Sequence, residues 1–321
     1  EILSGLVGSE MCIRDRGWGS VMIDEKIIET NSLKAWLLAT RPKTLTGAIV
    51  PVMIGVALAW KDTPADEFQQ TPALLCFLFA FIMQIDANLV NDYFDGLKGN
   101  DDSATRLGPR RACSEGWITK RAMKQAILAA TFLACLVGLP LAYYGGAQMV
   151  AVGLACVFFC FLYTTRLSYL GLGDVLVLVF FGLVPVCCTY YVCLPWNHQT
   201  VTRDVVLHSL VCGLVIDTLL LVNNYRDRDN DRRDGKRTLV VRIGPTATEW
   251  LYLLLGFAPL AYIVLTGHGY LALAYLPFHL LAWRDMRRIH HGRPLNIILG
   301  RTARNMFIYG LFTTLSIIIG I

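Results

Sequence analysis

Two clusters of asparagine and aspartate stand at corresponding places in an otherwise apolar chain. The first holds Asn88, Asn91, Asp92 and Asp95 and continues to Asp101 and Asp102. The second holds Asn223, Asn224, Asp227 and Asp231. Carboxylates suit hard, oxygen-seeking cations. Mg²⁺ in particular keeps some of its waters and bridges one or two carboxylates to a substrate's phosphates. Each cluster is followed by cations that suit phosphate oxygens: Lys98, Arg106, Arg110 and Arg111 after the first, Lys236 and Arg242 after the second. Arg110, Arg111 and Lys236 lie near the clusters without sitting among the acids. The chemistry these residue types point to is Mg²⁺-assisted handling of a diphosphate. Asp92, Asp95, Asp101, Asp227 and Asp231 are the candidate metal ligands. The asparagines and the six cations are the candidate substrate contacts.

Spacing adds to this reading. On a helix, Asn88, Asn91, Asp92 and Asp95 share one face, because they are three, four and seven residues apart. Asn223 and Asp227 are four apart, as are Asp227 and Asp231. Such faces must point into a bundle, since lipid cannot solvate them. A plainer alternative is that these are helix ends with asparagine caps and surface ion pairs. For one cluster the two readings balance; two clusters, four helices apart on the same side, favour a site.

The elements that must position these residues are membrane-spanning. Hydrophobic residues make up 55% of the 321, and only 17% are charged, which points away from a large soluble helical protein. The expected fold is an all-α polytopic bundle of nine spans, at 44–60, 72–94, 122–143, 147–165, 172–194, 205–225, 248–266, 269–283 and 302–321. Pro51, Pro140, Pro185 and Pro259 predict kinks inside spans. Gly267, His268 and Gly269 read as a turn. Most of the ten cysteines lie in apolar runs and read as small hydrophobes. His290 and His291 read as solvated surface. Asp86 and Asp217 lie deeper in the bundle than the clusters, as candidates for interhelical hydrogen bonds or for handling an aromatic substrate or a proton.

Of the 29 Lys and Arg residues, only Lys61 and Arg203 fall in loops after odd-numbered spans. The positive-inside rule then puts the N-terminus and both acidic clusters on the cytoplasmic side. These cations are read as topological, and no nucleic-acid partner is expected. Residues 1–21 resemble a translated sequencing-adapter scar, with Met22 expected as the natural start. Residues 22–43 are then a cytoplasmic segment and 44–321 a single transmembrane domain.

The motifs together resemble the UbiA superfamily of membrane prenyltransferases, and within it the 1,4-dihydroxy-2-naphthoate polyprenyltransferase (MenA-type) branch. Four stretches carry the likeness: Arg41-Pro42-Lys43-Thr44; Asn91-Asp92-x-x-Asp95-Gly-x-Lys98-Gly99-x-Asp101; Gly171-x-Gly173-Asp174; and Asn223-Asn224-x-Arg226-Asp227-x-x-x-Asp231 continuing to Gly235, Lys236, Thr238 and Arg242. The five residues between Asp95 and Asp101 depart from the general superfamily pattern and match the naphthoate branch. Thr164, Thr165 and Arg166 stand where many members of that branch have a Gly-Pro-containing stretch, which leaves the acceptor pocket open.

The resemblance implies transfer of an all-trans polyprenyl group from polyprenyl diphosphate to 1,4-dihydroxy-2-naphthoate, with loss of the carboxyl group and formation of demethylmenaquinone. It implies Mg²⁺ as cofactor and Asp92, Asp95, Asp227, Asp231 and Tyr163 as catalytic residues. It also implies membrane lipid around the protein, in a bacterial inner membrane, with the site facing the cytoplasm. Tyr93, Phe94, Tyr163 and Tyr225 are candidates for stabilising an allylic cation. The rivals are the same fold with another acceptor, such as 4-hydroxybenzoate, and a secondary transporter. Acids gathered at the cytoplasmic ends beside Arg and Lys argue against the transporter, which would place isolated acids at the midplane.

Overall fold

The computed structural model describes residues 28–98 and 106–321. The proposed scar at 1–21 and the candidate ligand Asp101 lie outside them. All regular structure among the described residues is helical. A short helix α1 (Leu33–Thr40) leads through a 3₁₀ turn (Pro42–Thr44) into α2 (Thr46–Asp62), bent by 50° from it. There follow α3 (Gln70–Lys98), α4 (Lys120–Gly138) with its continuation α5 (Leu141–Gly145), and α6 (Gln148–Leu162). Next come α7 (Gly173–Val177), α8 (Val184–Cys193), α9 (Arg203–Arg233), α10 (Leu239–Gly256), α11 (Ala258–Thr266), α12 (Leu276–Ile289) and α13 (Leu295–Ile319).

Local chemistry sets the helix ends. Ser32, Thr119, Thr202 and Thr238 each precede a helix and accept a hydrogen bond from the amide three residues on, satisfying a donor the helix leaves free. Three of the four prolines expected to kink spans stand inside single spans, where one helical piece gives way to the next. Pro140 caps α5, and Pro185 and Pro259 occupy the first turns of α8 and α11. Of the four, Pro51 lies within an unbroken helix. Gly267 and Gly269 both take positive φ, which makes the expected turn between α11 and the next element.

Seven helical segments are long and apolar enough to cross a membrane, and the bent α1–α2 pair makes an eighth. They account for eight of the nine expected spans. The remaining one, 269–283, is not confirmed as a span. It is a 3₁₀ turn (Tyr270–Tyr275) followed by α12. At 14 residues α12 alone is about 21 Å long, the six-residue 3₁₀ turn adds about 12 Å, and the end of α12 carries Arg284, Arg287 and Arg288.

The two longest helices are α3, with 29 residues, and α9, with 31. At about 1.5 Å per residue both exceed the hydrocarbon thickness, so their last turns can leave it. Those turns carry the two acidic clusters. Helix α9 is also the most buried span, packed by α2, α8, α10 and α13. Close crossings allow this. A Cβ on Gly182 would lie 2.6 Å from the Ser209 carbonyl oxygen of α9, the small-residue contact that brings membrane helices together.

Candidate active site

The acidic-cluster ends of α3 and α9 face one another across a polar cavity of about 410 Å³. Of the expected residues, Asn91, Asp95, Arg106, Arg111, Tyr163, Asn223, Asn224, Asp227, Asp231 and Lys236 line it. Residues of the two clusters therefore line one cavity. Against it lies an apolar cavity of about 320 Å³, walled by α6 and by a π-helical segment (Leu178–Leu183) that presents Phe180 and Phe181. Asn91 and Tyr163 line both cavities. Tyr163 opens a second π-helical turn (Tyr163–Leu167), and there Thr164 Oγ1 donates to Asn91 Oδ1. Such π turns are rare and gather at functional sites.

The remaining expected residues have other partners. Asp92 is buried, and its two carboxylate oxygens accept the backbone amides of Ala112 and Cys113 at 3.0 Å each. It anchors the loop that carries Arg106 and Arg111. Asn88 Nδ2 donates to the Thr40 carbonyl and to Thr44 Oγ1, both at 2.9 Å. Lys98 donates to the carbonyls of Thr164 and Thr165 at 3.3 and 3.2 Å and lies over the Tyr169 ring. Arg110 is paired with Glu115 at 3.6 Å, and Arg242 donates to the carbonyl of Leu170 at 2.7 Å. These five frame the cavity's walls rather than line it.

Two residues beyond the expected set belong to the site. Arg41 sits between α1 and the 3₁₀ turn with φ 49°, a left-handed conformation costly for a non-glycine residue. It lines the polar cavity, and its Nη2 is buried without a hydrogen-bond partner. The Arg-Pro-Lys-Thr motif was the signal for it. Arg226 is buried and grips both oxygens of Asp227 (2.8 and 2.5 Å), Asn223 (2.9 Å) and Asn296 (2.8 Å). A guanidinium fork matched to a carboxylate in this way compensates the desolvation of both charges. Burial pushes Arg106 down to about 10, opposed by the nearby Asp227 carboxylate, so it remains a cation at neutral pH.

The carboxylates differ in what they have left to offer. Asp227 is held by Arg226 and Asp92 by amides. Asp95 has an ion pair with Arg111 at 3.7 Å, and Asp231 faces the same cavity. No group of three or more His, Cys, Asp or Glu side chains converges as a metal cage among the described residues. The donors present are hard oxygens, two facing carboxylates with asparagines beside them. They fit a Mg²⁺ ion that takes its other ligands from water and substrate.

Tyr225 lies away from the cavity, and of the two histidines His291 is exposed as expected while His290 is only partly so. Tyr225 is fully buried and donates to Glu249 at 2.6 Å, with His290 Nδ1 2.8 Å from its hydroxyl. His290 also lies 3.1 Å from Glu249, and Arg228 donates to its carbonyl. His290 is thus part of an interhelical network rather than plain solvated surface. Tyr93 and Phe94 pack edge-on against each other beside the α1–α3–α4 core. Asp86 accepts from Thr131 at 2.7 Å, tying α3 to α4.

Fold and site together define a multi-pass helical membrane protein built round a cavity with a polar half and an apolar half. Residues 48–311 match the family model of the UbiA prenyltransferases, and the chain belongs to that family of membrane prenyltransferases. Among curated relatives, the 1,4-dihydroxy-2-naphthoate octaprenyltransferase of Escherichia coli K12 is 38% identical over 232 residues, 70% of this chain and 72% of that protein. The protein of the same name from Mycobacterium tuberculosis H37Rv is 33% identical over 290 residues, 87% of this chain and 95% of that one. Among solved structures, a UbiA homologue from Aeropyrum pernix K1 superposes with a TM-score of 0.65 at 14% identity, covering 87% of this chain and 98% of that one. A homologue from Archaeoglobus fulgidus, bound to GPP and Mg²⁺, gives 0.59 at 12% identity, covering 88% and 99%. At such identities these two carry the fold alone.

Proposed function

We propose that the protein transfers a polyprenyl group from polyprenyl diphosphate to 1,4-dihydroxy-2-naphthoate with loss of the carboxyl group, giving demethylmenaquinone. The reaction takes place in a bacterial cytoplasmic membrane, with the site open to the cytoplasm. One observation carries most of this reading: a cation-lined polar cavity and an apolar cavity share Asn91 and Tyr163. A diphosphate head and an isoprenoid tail need such a pair of compartments, with the scissile bond at the junction. The naphthoate acceptor is favoured by relatives of that name that cover most of the chain.

In this reading Asp95 and Asp231, with Asp227, Asp92 and Asp101 in support, would hold Mg²⁺ beside the diphosphate. The bound ion supplies neutralisation of the charge on the leaving group. Arg41, Arg106, Arg111 and Lys236 stabilise the remaining charge, which grows as the C–O bond breaks. The allylic cation left behind would be quenched by water. The apolar wall excludes water, and the π faces of Tyr163, Phe180 and Phe181 stabilise the cation. Helix α6 forms the outer wall of the apolar cavity and is itself little covered by protein. The remainder of the tail passes beside it into lipid.

The test is a prenyl-transfer assay in membranes with Mg²⁺, offering 1,4-dihydroxy-2-naphthoate and 4-hydroxybenzoate separately. Prenylated naphthoate product is expected. Product from 4-hydroxybenzoate alone would overturn the choice of acceptor.

A further inference from the structure

Two carboxyl groups beside Tyr163 take no part in the chemistry above. Asp174 stands in the first turn of α7 and lines the polar cavity next to Gly173 and Tyr163. Its Oδ1 is buried and has no hydrogen-bond partner. Asp217 comes from α9, ten residues before Asp227 and so about three turns deeper. It is only 5% exposed, and its Oδ1 also lacks a partner. Helices α7 and α9 pack together, and the two carboxyls are close enough to interact electrostatically with each other and with Tyr163.

Buried oxygens without partners are costly unless a ligand completes them. What completes these is not phosphate, which carboxyls repel and which the cations of the opposite wall attract. It is a hydrogen-bond donor that arrives with the substrate. We propose that Asp174, backed by Asp217, binds a phenolic hydroxyl of the aromatic acceptor and so sets its orientation. The inference rests on the acceptor reading above. With 1,4-dihydroxy-2-naphthoate, the hydroxyl at ring position 4 faces Asp174, since position 1 adjoins the carboxylate. The acceptor's carboxylate then turns away from the two acids, toward Arg41, Arg111 and Lys236. A carboxyl oxygen accepting from a phenolic O–H also raises the electron density of the ring, which favours attack on an allylic cation.

The experiment measures equilibrium binding of two naphthoates to the purified full chain in detergent, with Mg²⁺ and inorganic diphosphate present. One ligand is 1,4-dihydroxy-2-naphthoate; the other is 1-hydroxy-2-naphthoate, which lacks the hydroxyl in question. Asp174→Asn is expected to weaken the first by about tenfold or more, as befits one hydrogen bond to a charged group. The second should be unchanged. Asp217→Asn should act in the same direction with a smaller effect, and it carries the test if Asp174→Asn does not accumulate in membranes. Equal weakening of both ligands would mean a merely structural role and would overturn the proposal, as would no change in either. Because the readout is binding, it is separate from turnover. A wild-type protein that binds the diol in the expected ratio yet never prenylates it would sink the proposed reaction and leave the orientation standing.

Discussion

The side-chain amide of Asn88 joins α3 to Thr44, donating to its hydroxyl at 2.9 Å while donating equally closely to the Thr40 carbonyl. These two acceptors bracket Arg41, whose backbone is left-handed at φ 49°. A strained arginine at a cavity wall persists only if its surroundings over-determine it. Asn88 supplies that constraint from a neighbouring helix, and so places a buried guanidinium over the acids of the first cluster.

Asn88→Ala should therefore release Arg41 without removing any cavity-lining group. The expected outcome is a rise in KM for polyprenyl diphosphate of about tenfold, with a loss of about 1–3 kcal/mol in stability from the unsatisfied carbonyl. Steady-state kinetics in nanodiscs and thermal unfolding in detergent read the two effects. An unchanged KM would remove Arg41 from diphosphate binding.

Asp92 and Asp231 should fail in different ways. Asp231→Asn faces the cavity and is expected to cost at least about a hundredfold in kcat, comparable to losing a transition-state electrostatic contact, with little loss of stability. Asp92→Asn breaks the carboxylate's grip on the amides of Ala112 and Cys113. It should destabilise by about 3 kcal/mol as well as slow turnover. Equal thermal stability of the two variants would contradict this division.

Metal removal offers a separate check. Among the described residues the carboxylates form no closed cage, so an ion bound there would be shared with substrate. Chelation with EDTA should abolish turnover reversibly, Mg²⁺ should restore it, and thermal stability without substrate should hardly change. A large fall in stability on chelation would point to a structural ion instead.

Gly153 lines the apolar cavity, and a Cβ built there meets no atom within 4 Å. Gly153→Phe should fill that space without disturbing the bundle. The expected result is a preference for shorter prenyl diphosphates, with KM for the longest substrate rising about tenfold or more. Competition between short and long prenyl diphosphates, with products separated by chain length, measures it. Unaltered preference would place the tail outside this cavity.

Gly182 has the opposite property. Its Cβ would stand 2.6 Å from the Ser209 carbonyl and 2.9 Å from the Gly213 Cα. Gly182→Val should force α9 away from the π-helical segment and destabilise by about 3 kcal/mol, the upper range for overpacking. Yield of folded protein after detergent extraction reports this, and normal yield with normal activity would show the crossing to be compliant.

Residue order alone determined the membrane bundle, its end-to-end charge asymmetry and the two acidic clusters. These depend on composition and spacing along single helices, and a bilayer permits few alternatives to a helix for an apolar run. The family likeness was likewise carried by short local motifs. Tertiary structure decided which members of each motif reach the cavity. Asp92 and Asp95 are three residues apart, yet one is capped by Ala112 and Cys113 and the other faces the site, because a loop folds back over one side of α3 only. Arg226 and Asp227 are neighbours in sequence whose close pairing depends on how α9 meets Asn296 of α13. The expected eighth span takes the form of a 3₁₀ turn and a short helix, with Tyr275 and Ala282 buried against the other helices, a break that its apolar run alone did not specify. The apolar cavity, with Phe180 and Phe181 brought round by a π-helical segment, had no periodic signature. Its shape arises where α2, α3, α6 and α8 leave space between them, which no single stretch of sequence encodes.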